Sequence, residues 1–234
     1  MTEHLTTNAA YRRVLHDLVY RPQYTSSPRG LPCREIVDYH FRVLDPRPES
    51  LLTASRTRDE VMARYLAAEE KLYASGELRA SVWATEASAF WGKLANPDGT
   101  INSNYGYLIF QKRSIPGERT PWEWARESIL HDTDTRQAYV RVALPEHQRP
   151  GNADQVCTLH LNFLVRGGQL HCTTVMRSND AVKGLAYDMP WFVGLLHRMA
   201  AEVGAAVGTY SHMAHSMHLY ERDVPVAMEM LGEG

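Results

Sequence analysis

The spacing of apolar residues predicts several helices along this chain of 234 residues. Residues 8–20, "NAAYRRVLHDLVY", form the first, with Asn8 in position to cap its N-terminus. Residues 59–75 form the clearest one, and Gly76 follows it as a helix-ending residue. Further helices are predicted over residues 84–95, 120–132 and 187–206. The last of these is apolar around most of its circumference, which indicates a largely buried helix.

Strands are predicted where apolar and polar residues alternate with a period of two. This alternation is found over residues 34–44, 136–144 and, as a strand or a loop, 208–220. Two further runs, 156–165 and 169–177, flank Gly167-Gly168 and therefore predict a hairpin. Because helices and strands are mixed along the chain without repeats or a linker, we expect one α+β domain over residues 1–234.

Composition narrows the class of protein. Apolar residues make up 44% of the chain and charged residues 22%, as in most globular domains. The net charge of −2 argues against a general nucleic-acid or membrane-surface binder, so we expect neither partner. The N-terminal residues lack the apolar segment of a signal peptide. The three cysteines, Cys33, Cys157 and Cys172, form no CxxC pair, so we expect a cytoplasmic protein without a disulfide framework.

Cys157 has two interpretations. It shares a predicted strand face with Leu161 and Phe163, where an unpaired cysteine is most often a small core residue. Alternatively, it is a thiolate nucleophile, which requires nearby cationic groups to lower the pKa of the thiol. The alternation pattern alone favours the core residue.

Arg177 and Ser178 end the second strand of the predicted hairpin, and this pair suits an anion. A guanidinium can donate to two phosphate oxygens at once, and a hydroxyl can add a further hydrogen bond. The alternative is a surface arginine followed by a serine that caps a helix. Arg29, in the turn "PRGLP", is open to the same two interpretations.

Two other groups of polar residues could carry chemistry. Glu69 and Glu70 lie on the helix of residues 59–75 among small and apolar neighbours, so we expect one of the two to point inward. A buried carboxyl has a raised pKa and can shuttle protons, whereas a solvated helix face is the alternative. His212, His215 and His218 suggest a metal site, but a spacing of three alternates between the faces of a strand. We therefore expect no metal.

Two blocks of sequence resemble the thymidylate synthase superfamily: "INSNYG" at 101–106 and "CTLHLNFLVRGGQLHCTTVMRSNDAVKGLAYD" at 157–188. The most specific part is "MRSND", which ends at Asp180 and is followed eight residues later by a second aspartate, Asp188. The resemblance extends from about Arg29 to Tyr220 and is closest to the dCMP and CMP 5-hydroxymethylases of phage DNA modification and nucleoside-antibiotic biosynthesis. It implies a mixed β-sheet packed with helices, with one sheet face at a two-fold dimer interface.

The resemblance implies roles for the nucleophilic and acidic side chains. Cys157 matches the nucleophile that adds to carbon 6 of the pyrimidine, which activates carbon 5 toward the methylene of methylenetetrahydrofolate. Glu69 matches the catalytic glutamate, and Tyr105 matches a tyrosine near the base. Trp91 and Asp180 match positions that contact the folate.

Other residues match the nucleotide-binding positions of the family. The phosphate clamp is matched by Arg29, Arg177 and Ser178. Arg136 matches an arginine that one subunit lends to its partner across the dimer interface. His218 and Tyr220 match the pair that hydrogen-bonds the sugar hydroxyl.

The chain departs from the thymidylate synthase pattern at three of these places. Around the cysteine, the chain has Val156-Cys157-Thr158 where thymidylate synthases usually have Pro-Cys-His. It has Arg136-Gln137 in place of two consecutive arginines. Before the sugar-binding pair, it has Ala214-His215 in place of Gly-Gly. The second change predicts an altered phosphate clamp. The third suggests the hypothesis that Ala214-His215 governs tolerance of a 2′-hydroxyl.

Asp188 is a fourth and more informative departure, because thymidylate synthases have asparagine there. An asparagine amide donates to oxygen 4 of uracil and accepts from nitrogen 3. A carboxylate instead accepts from the exocyclic amine of cytosine and stabilises a proton on its ring nitrogen. Aspartate therefore predicts selection of cytosine over uracil. The alternative is that Asp188 caps the following helix.

The combined prediction is a cytidylate 5-hydroxymethylase. It would use methylenetetrahydrofolate, act on CMP or dCMP as a homodimer, need no metal, and complete the reaction with water instead of hydride. Three alternatives stay open: a methylase or hydroxymethylase of uracil nucleotides, a non-catalytic nucleotide-binding homologue, and a metal-dependent hydrolase that uses the histidine group.

Overall fold

The structure, a computed structural model, describes residues 1–49, 51–113 and 117–233. The strands in these ranges are β1 Thr2–His4, β2 Tyr24–Ser26, β3 Cys33–Val43, β4 Tyr139–Arg141, β5 Thr158–Arg166, β6 Gln169–Met176, β7 Asn179–Asp180 and β8 Ala206–Tyr220. The α-helices are α1 Thr7–Tyr20, α2 Arg56–Ser75, α3 Ala80–Glu86, α4 Tyr105–Phe110, α5 Pro121–His131, α6 Leu185–Val203 and α7 Val224–Leu231. The predicted α+β class is confirmed.

In the described part of the chain the eight strands form one mixed sheet with the order β1-β3-β8-β6-β5-β4, and β2 and β7 pair with β3 and β8. Strand β8 is central, since it runs antiparallel to β3 and parallel to β6. Its C-terminal end pairs with both β3 and β7, so that His218 lies opposite Glu35 on one side and Asp180 on the other. This pairing brings three distant stretches of sequence together at one end of the sheet.

The predicted hairpin is confirmed as β5 and β6 joined by Gly167 and Gly168. Both glycines have positive φ angles, 58° and 75°, which a residue without a Cβ adopts at little cost. The register of the hairpin shifts between Thr158 and His160. Such a bulge turns the chain, and bulges are common beside active sites. Cys157 directly precedes β5, and its side chain lines a cavity while it also packs against the core.

Most predicted helices are confirmed, with changed ends. Gly76 ends α2 with a φ of 70°, and α5 begins with a capping box between Thr120 and Glu123. The buried helix predicted over 187–206 is α6, which packs together with α1 against the sheet. None of the helices in the described ranges is both long enough and apolar enough to cross a membrane.

Three predictions of detail are wrong. Thr6, not Asn8, caps α1, because the Thr6 hydroxyl accepts from the Ala9 amide and the Asn8 side chain accepts from the Leu52 amide instead. The helix predicted over 84–95 is α3, ending at Glu86, followed by a short 3₁₀ helix at Trp91–Leu94. The strand predicted over 136–144 is only the three residues of β4.

Candidate active site

A cavity of about 1820 Å³ opens at the end of the sheet where β3, β7 and β8 meet, and helices α2 and α6 contribute to its wall. The predicted site residues that line it are Arg29, Glu69, Trp91, Tyr105, Cys157, Arg177, Ser178, Asp180, Asp188, His218 and Tyr220. Arg136 is exposed and does not line the cavity of its own chain. The structure thus collects all but one of the predicted residues, and their roles remain predictions.

The half-buried thiol of Cys157 lies beside the guanidinium of Arg177, with 3.5 Å between Sγ and Nη2. The same guanidinium donates to the carbonyl oxygens of Val156 and Gln155 at 3.0 and 2.5 Å. Arg177 therefore holds the segment before the nucleophile as well as facing the cavity. Burial raises the pKa of Cys157 to about 11, and the positive charge of Arg177 opposes this rise only in part. The thiol is therefore protonated at neutral pH, and a role as nucleophile would require it to lose this proton.

A buried carboxylate joins the Cys157 segment to the "INSNYG" segment. Asp154 accepts hydrogen bonds from the backbone amides of Asn102 and Ser103, both at 2.7 Å, and from the Ser103 hydroxyl at 2.6 Å. Tyr105 follows two residues later as the first residue of α4, so this contact positions the tyrosine relative to the nucleophile. The sequence analysis missed Asp154, because nothing in its local pattern indicates which amides it would contact.

Tyr105 is held close to α2 by the glycine that follows it. A Cβ at Gly106 would lie 2.4 Å from the carbonyl oxygen of Tyr73, so any larger residue would push the two helices apart. The stacked rings of Tyr73 and Tyr105 have centroids 5.9 Å apart. Burial raises the pKa of Tyr105 well above its usual value, which keeps the phenol neutral.

Glu69 points into the cavity from α2, as predicted, and its side chain is buried. Tyr65, one turn earlier on the same helix, donates its hydroxyl to Oε1 of Glu69 at 3.1 Å. The indole nitrogen of Trp91 donates in turn to the Tyr65 oxygen at 2.9 Å. Burial, with a smaller effect from the charge of Asp188, raises the pKa of Glu69 to about 8. The carboxyl is therefore mostly neutral at pH 7.

Asp188 lies in the first turn of α6 and lines the cavity. Its Oδ2 accepts a hydrogen bond of 2.7 Å from the side-chain amide of Asn179. Burial raises the pKa of Asp188 to about 7, while the bond from Asn179 lowers it. Helix α6 begins at Leu185 after Gly184, so the alternative that Asp188 caps this helix is wrong.

Asn179 is a functional candidate that the sequence analysis quoted within "MRSND" but did not single out. Its side chain is buried, and among the described residues its carbonyl oxygen Oδ1 has no hydrogen-bond partner. A Cβ at Gly184 would lie 2.8 Å from the Asn179 amide nitrogen, so the glycine leaves the room that this amide occupies. The contact with Asp188 could not be inferred from spacing along the chain.

Other residues of the cavity are those matched to phosphate, sugar and folate. Arg29 is exposed in a 3₁₀ turn with a φ of 54°, and Ser178 Oγ lies 3.5 Å from His218 Nδ1. The rings of His218 and Tyr220 meet edge to face, with centroids 5.2 Å apart. Asp180, opposite His218, accepts from the Val182 and Lys183 amides at 2.9 Å each. This part of the cavity wall therefore presents a guanidinium, two hydroxyls, an imidazole and a carboxyl.

The three histidines of β8 lie in three different environments. His212 is buried and its ring stacks on Phe41, while burial lowers its pKa to about 3. His215 is exposed and pairs with Asp38 at 2.7 Å, and only His218 lines the cavity. Within the described residues, no three His, Cys, Asp or Glu side chains are grouped as metal ligands.

The hypothesis that Ala214-His215 governs sugar tolerance receives no support from their positions. Ala214 is buried in the sheet, His215 is at the surface, and neither lines the cavity. Glu35 and Ser216 line it instead, beside His218, and the Ser216 hydroxyl donates to the Glu35 carboxylate. Both were missed because a strand pattern does not show which residue of a neighbouring strand lies opposite.

Comparison with known proteins agrees with this geometry. A family model described as thymidylate synthase matches residues 9–233. The deoxycytidylate 5-hydroxymethyltransferase of Enterobacteria phage T4 is 25% identical over 169 residues, which cover 68% of this chain and 67% of that protein. The deoxyuridylate hydroxymethyltransferase of Bacillus phage SP01 is 35% identical over 141 residues, 56% of this chain and 37% of that protein. The chain therefore belongs to the thymidylate synthase family, whose members are folate-dependent one-carbon transferases of pyrimidine nucleotides.

Proposed function

We propose that this protein is a cytidylate 5-hydroxymethylase, with residues 1–234 as one catalytic domain. It would transfer a one-carbon unit from methylenetetrahydrofolate to carbon 5 of CMP or dCMP and then add water. The observation that carries this proposal is the carboxyl of Asp188 in the wall of the same cavity as the Cys157 thiol and the Glu69 carboxyl. The name of the T4 relative supports the same substrate class.

Cys157 is proposed to begin the reaction. Its sulfur forms a bond to carbon 6 of the cytosine, the thiol proton leaves, and the electron pair of the 5,6 double bond becomes available at carbon 5. Arg177, 3.5 Å from the sulfur, stabilises the developing thiolate. This help is needed because burial keeps the resting thiol protonated.

Asp188 is proposed to select the base. A carboxyl with a pKa near 7 can share one proton with ring nitrogen 3 of cytosine and accept from the exocyclic amine. Since Oδ2 already accepts from Asn179, the acid proton is best placed on Oδ1. The pair of oxygens then presents one acceptor and one donor in a fixed order, which is what discrimination between cytosine and uracil requires.

The residues of the cavity fit a bound folate. Trp91 and the contacting rings of Tyr65 and Tyr187, with centroids 4.4 Å apart, offer aromatic surface for a flat pterin, and Asp180 offers a carboxyl. When bound, methylenetetrahydrofolate supplies the one-carbon unit. Tyr105 is a candidate for assisting proton removal from carbon 5, because it is held next to the nucleophile segment.

Glu69 is proposed to direct the final water. As a neutral acid it can donate a proton, and once ionised it can accept one from the water that attacks the exocyclic methylene of the nucleotide. The new carbon–oxygen bond moves electrons back into the ring. The carbon–sulfur bond then breaks, the 5,6 double bond re-forms, and Cys157 recovers a proton.

The phosphate site is proposed to need a second subunit. Arg29, Arg177 and Ser178 would bind phosphate from one chain, while Arg136, exposed and outside its own cavity, would serve the cavity of the partner. Tyr139, three residues after Arg136, is half exposed and lines the cavity, so the cavity reaches the surface near this arginine. We propose a homodimer on these grounds.

A uracil nucleotide is the second candidate substrate. The SP01 relative is named for deoxyuridylate, and a neutral carboxyl offers a donor and an acceptor as an asparagine amide does. This candidate predicts turnover of dUMP above that of CMP and dCMP.

One experiment tests the proposal. The protein is incubated with methylenetetrahydrofolate and each of CMP, dCMP and dUMP, and the products are weighed by mass spectrometry. We expect a hydroxymethyl group on a cytosine nucleotide. Cys157→Ala should abolish both turnover and tritium release from carbon 5, whereas Cys172→Ala, a buried thiol of β6 outside the cavity, should retain them. A methylated product, or activity in Cys157→Ala, would overturn the proposal.

A further inference from the structure

We infer that Tyr65 is a positioning residue for the proposed reaction. Its hydroxyl is fixed by Trp91 and holds Oε1 of Glu69 as an acceptor, so that the transferable proton of Glu69 sits on Oε2. The effect of Tyr65 on the reaction rests on the proposed function, whereas its hydrogen bonds to Trp91 and Glu69 do not depend on which substrate is bound.

The direction of the hydrogen bonds follows from the chemistry of the three groups. An indole N–H can only donate, so the Tyr65 oxygen must be the acceptor in its 2.9 Å contact with Trp91. The phenol then has one proton to place, and the Glu69 Oε1 atom lies 3.1 Å away. Oε1 is therefore the acceptor oxygen of the carboxyl. A proton carried by Glu69 therefore belongs on Oε2, the other oxygen of the carboxyl.

The geometry is held by rigid elements. Tyr65 and Glu69 are four residues apart on α2, a spacing that places two side chains on the same helix face. The ring of Tyr65 also packs against that of Tyr187 from α6, with centroids 4.4 Å apart. Trp91 approaches from the 3₁₀ helix after α3. Three segments of the chain thus hold the side chain of Tyr65 in place, and its hydroxyl in turn orients the carboxyl of Glu69.

The groups that face Glu69 come from two helices. Asp188 and Tyr187 lie on α6, and Tyr65 and Tyr73 lie on α2. Burial and the charge of Asp188 raise the pKa of Glu69, and hydrogen bonds from Tyr65 and Tyr73 lower it. A donor to the ionised form must lower the pKa, so removing the phenol hydroxyl must raise it.

Trp91, Tyr65 and Glu69 also form a chain of two hydrogen bonds in the wall of the cavity. Trp91 lies in the wall proposed for the folate, and Glu69 lies beside the residue proposed to select the base. A change at the indole is therefore transmitted to the acid by two hydrogen bonds. This arrangement explains why a phenol, and not a smaller hydroxyl, occupies position 65: it spans the gap between Trp91 and Glu69.

The test is Tyr65→Phe, which keeps the ring and removes the hydroxyl. Protein labelled with ¹³C at glutamate side-chain carboxyls is titrated by NMR, and the Glu69 signal is assigned with Glu69→Gln. We expect the pKa of Glu69 to rise by about one unit, the effect of losing one neutral donor to a carboxylate. Trp91→Phe should raise it by less, because the Tyr65 hydroxyl remains but is no longer oriented.

Tyr187→Phe is the matched control. It removes a phenol of the same cavity that has no hydrogen bond to Glu69 among the described residues, so the pKa of Glu69 should stay within a few tenths of a unit. Equal shifts in Tyr65→Phe and Tyr187→Phe, or no shift in Tyr65→Phe, would overturn the inference.

The kinetic readout separates this inference from the proposed function. In Tyr65→Phe we expect kcat to fall with little change in the KM for nucleotide, and the alkaline limb of the pH profile to move upward with the pKa of Glu69. If the unmodified protein converts no cytosine nucleotide, the proposed function fails while the titration still tests Tyr65. If it turns over but the pKa and the alkaline limb stay in place, only the inference fails.

Discussion

The side-chain amide of Asn179 donates to Oδ2 of Asp188 at 2.7 Å, across a turn whose Gly184 leaves room for that amide. The motif "MRSND" therefore contributes to two of the proposed subsites. Arg177 and Ser178 face the place proposed for phosphate, and Asn179 turns back to orient the carboxyl proposed to select the base. Substrate phosphate and substrate base would thus be bound by neighbours in sequence.

Asp188→Asn is the most direct test of base selection. The amide would donate where the carboxylate accepts, so we expect the ratio of kcat/KM for cytosine over uracil nucleotides to fall by a factor of at least about 100, roughly 3 kcal/mol. The measurement is competition between dCMP and dUMP with product analysis. An unchanged ratio would show that another residue selects the base.

Asn179→Ala tests whether orientation of Asp188 matters apart from its charge. The variant removes the donor that lowers the pKa of Asp188, so that pKa should rise above about 7. Because the carboxyl also loses its fixed orientation, we expect cytosine selectivity to fall about tenfold, the effect of one hydrogen bond to a charged group. Selectivity equal to that of the unmodified protein would contradict this role.

Some of the site follows from sequence and some does not. The lack of a broad charged stripe around Glu69 and Glu70 indicated one inward glutamate, whereas the choice of Glu69, like that of Asp188, rests on the resemblance to the family. Tyr65, Asp154 and Asn179 were missed, since each acts through a contact with a residue on another loop or helix. Periodicity reports the burial of a side chain but not its partner across the fold. Alternation also did not show that Cys157 lies just before the strand instead of within it.

Glu69→Gln should change how stability depends on pH. In the folded protein the pKa of Glu69 is about 8, above its unfolded value near 4.5, so the folded state retains a proton that the unfolded state releases between these values. The contribution of Glu69 to the free energy of unfolding is therefore fully present below about pH 4.5 and is lost as the pH rises toward 8. The loss is about 1.4 kcal/mol for each unit of difference in pKa.

Thermal unfolding at pH 5 and pH 8 measures this effect. Relative to the unmodified protein, Glu69→Gln should gain more in Tm at pH 8 than at pH 5, because glutamine carries no charge to bury. Glu70→Gln, the exposed neighbour on the same helix, is the control and should show no such difference. An equal gain at both pH values would contradict the raised pKa of Glu69.

Mixing two inactive variants tests the proposed role of Arg136. Cys157→Ala and Arg136→Ala should each lose most activity alone, the first through chemistry and the second through the partner's phosphate site. If each cavity uses Arg136 of the partner subunit, a mixed dimer contains one intact cavity. After subunit exchange, mixed dimers should therefore show up to about half the activity of the unmodified dimer. Absence of recovery in verified mixed dimers would indicate that Arg136 acts within its own chain or not at all.

Gly106→Ala tests the close contact between α4 and α2. The added methyl would lie 2.4 Å from the carbonyl oxygen of Tyr73, which is backbone and cannot move alone. We expect a loss of roughly 2–4 kcal/mol in the free energy of unfolding, measured by denaturant titration. Gly92→Ala is the control, because its added methyl would meet Ala84 at an ordinary 3.5 Å.

The contact between Asn179 and position 188 has a consequence for how substrate choice can change over generations. If the Asn179 side chain turned over, its carbonyl oxygen Oδ1, which has no partner among the described residues, would accept from an asparagine amide at position 188 and hold that amide where Oδ2 of Asp188 now accepts. Aspartate and asparagine codons differ by one nucleotide. A lineage that uses this arrangement could therefore cross between cytosine and uracil by one point mutation, with the rest of the cavity already in place.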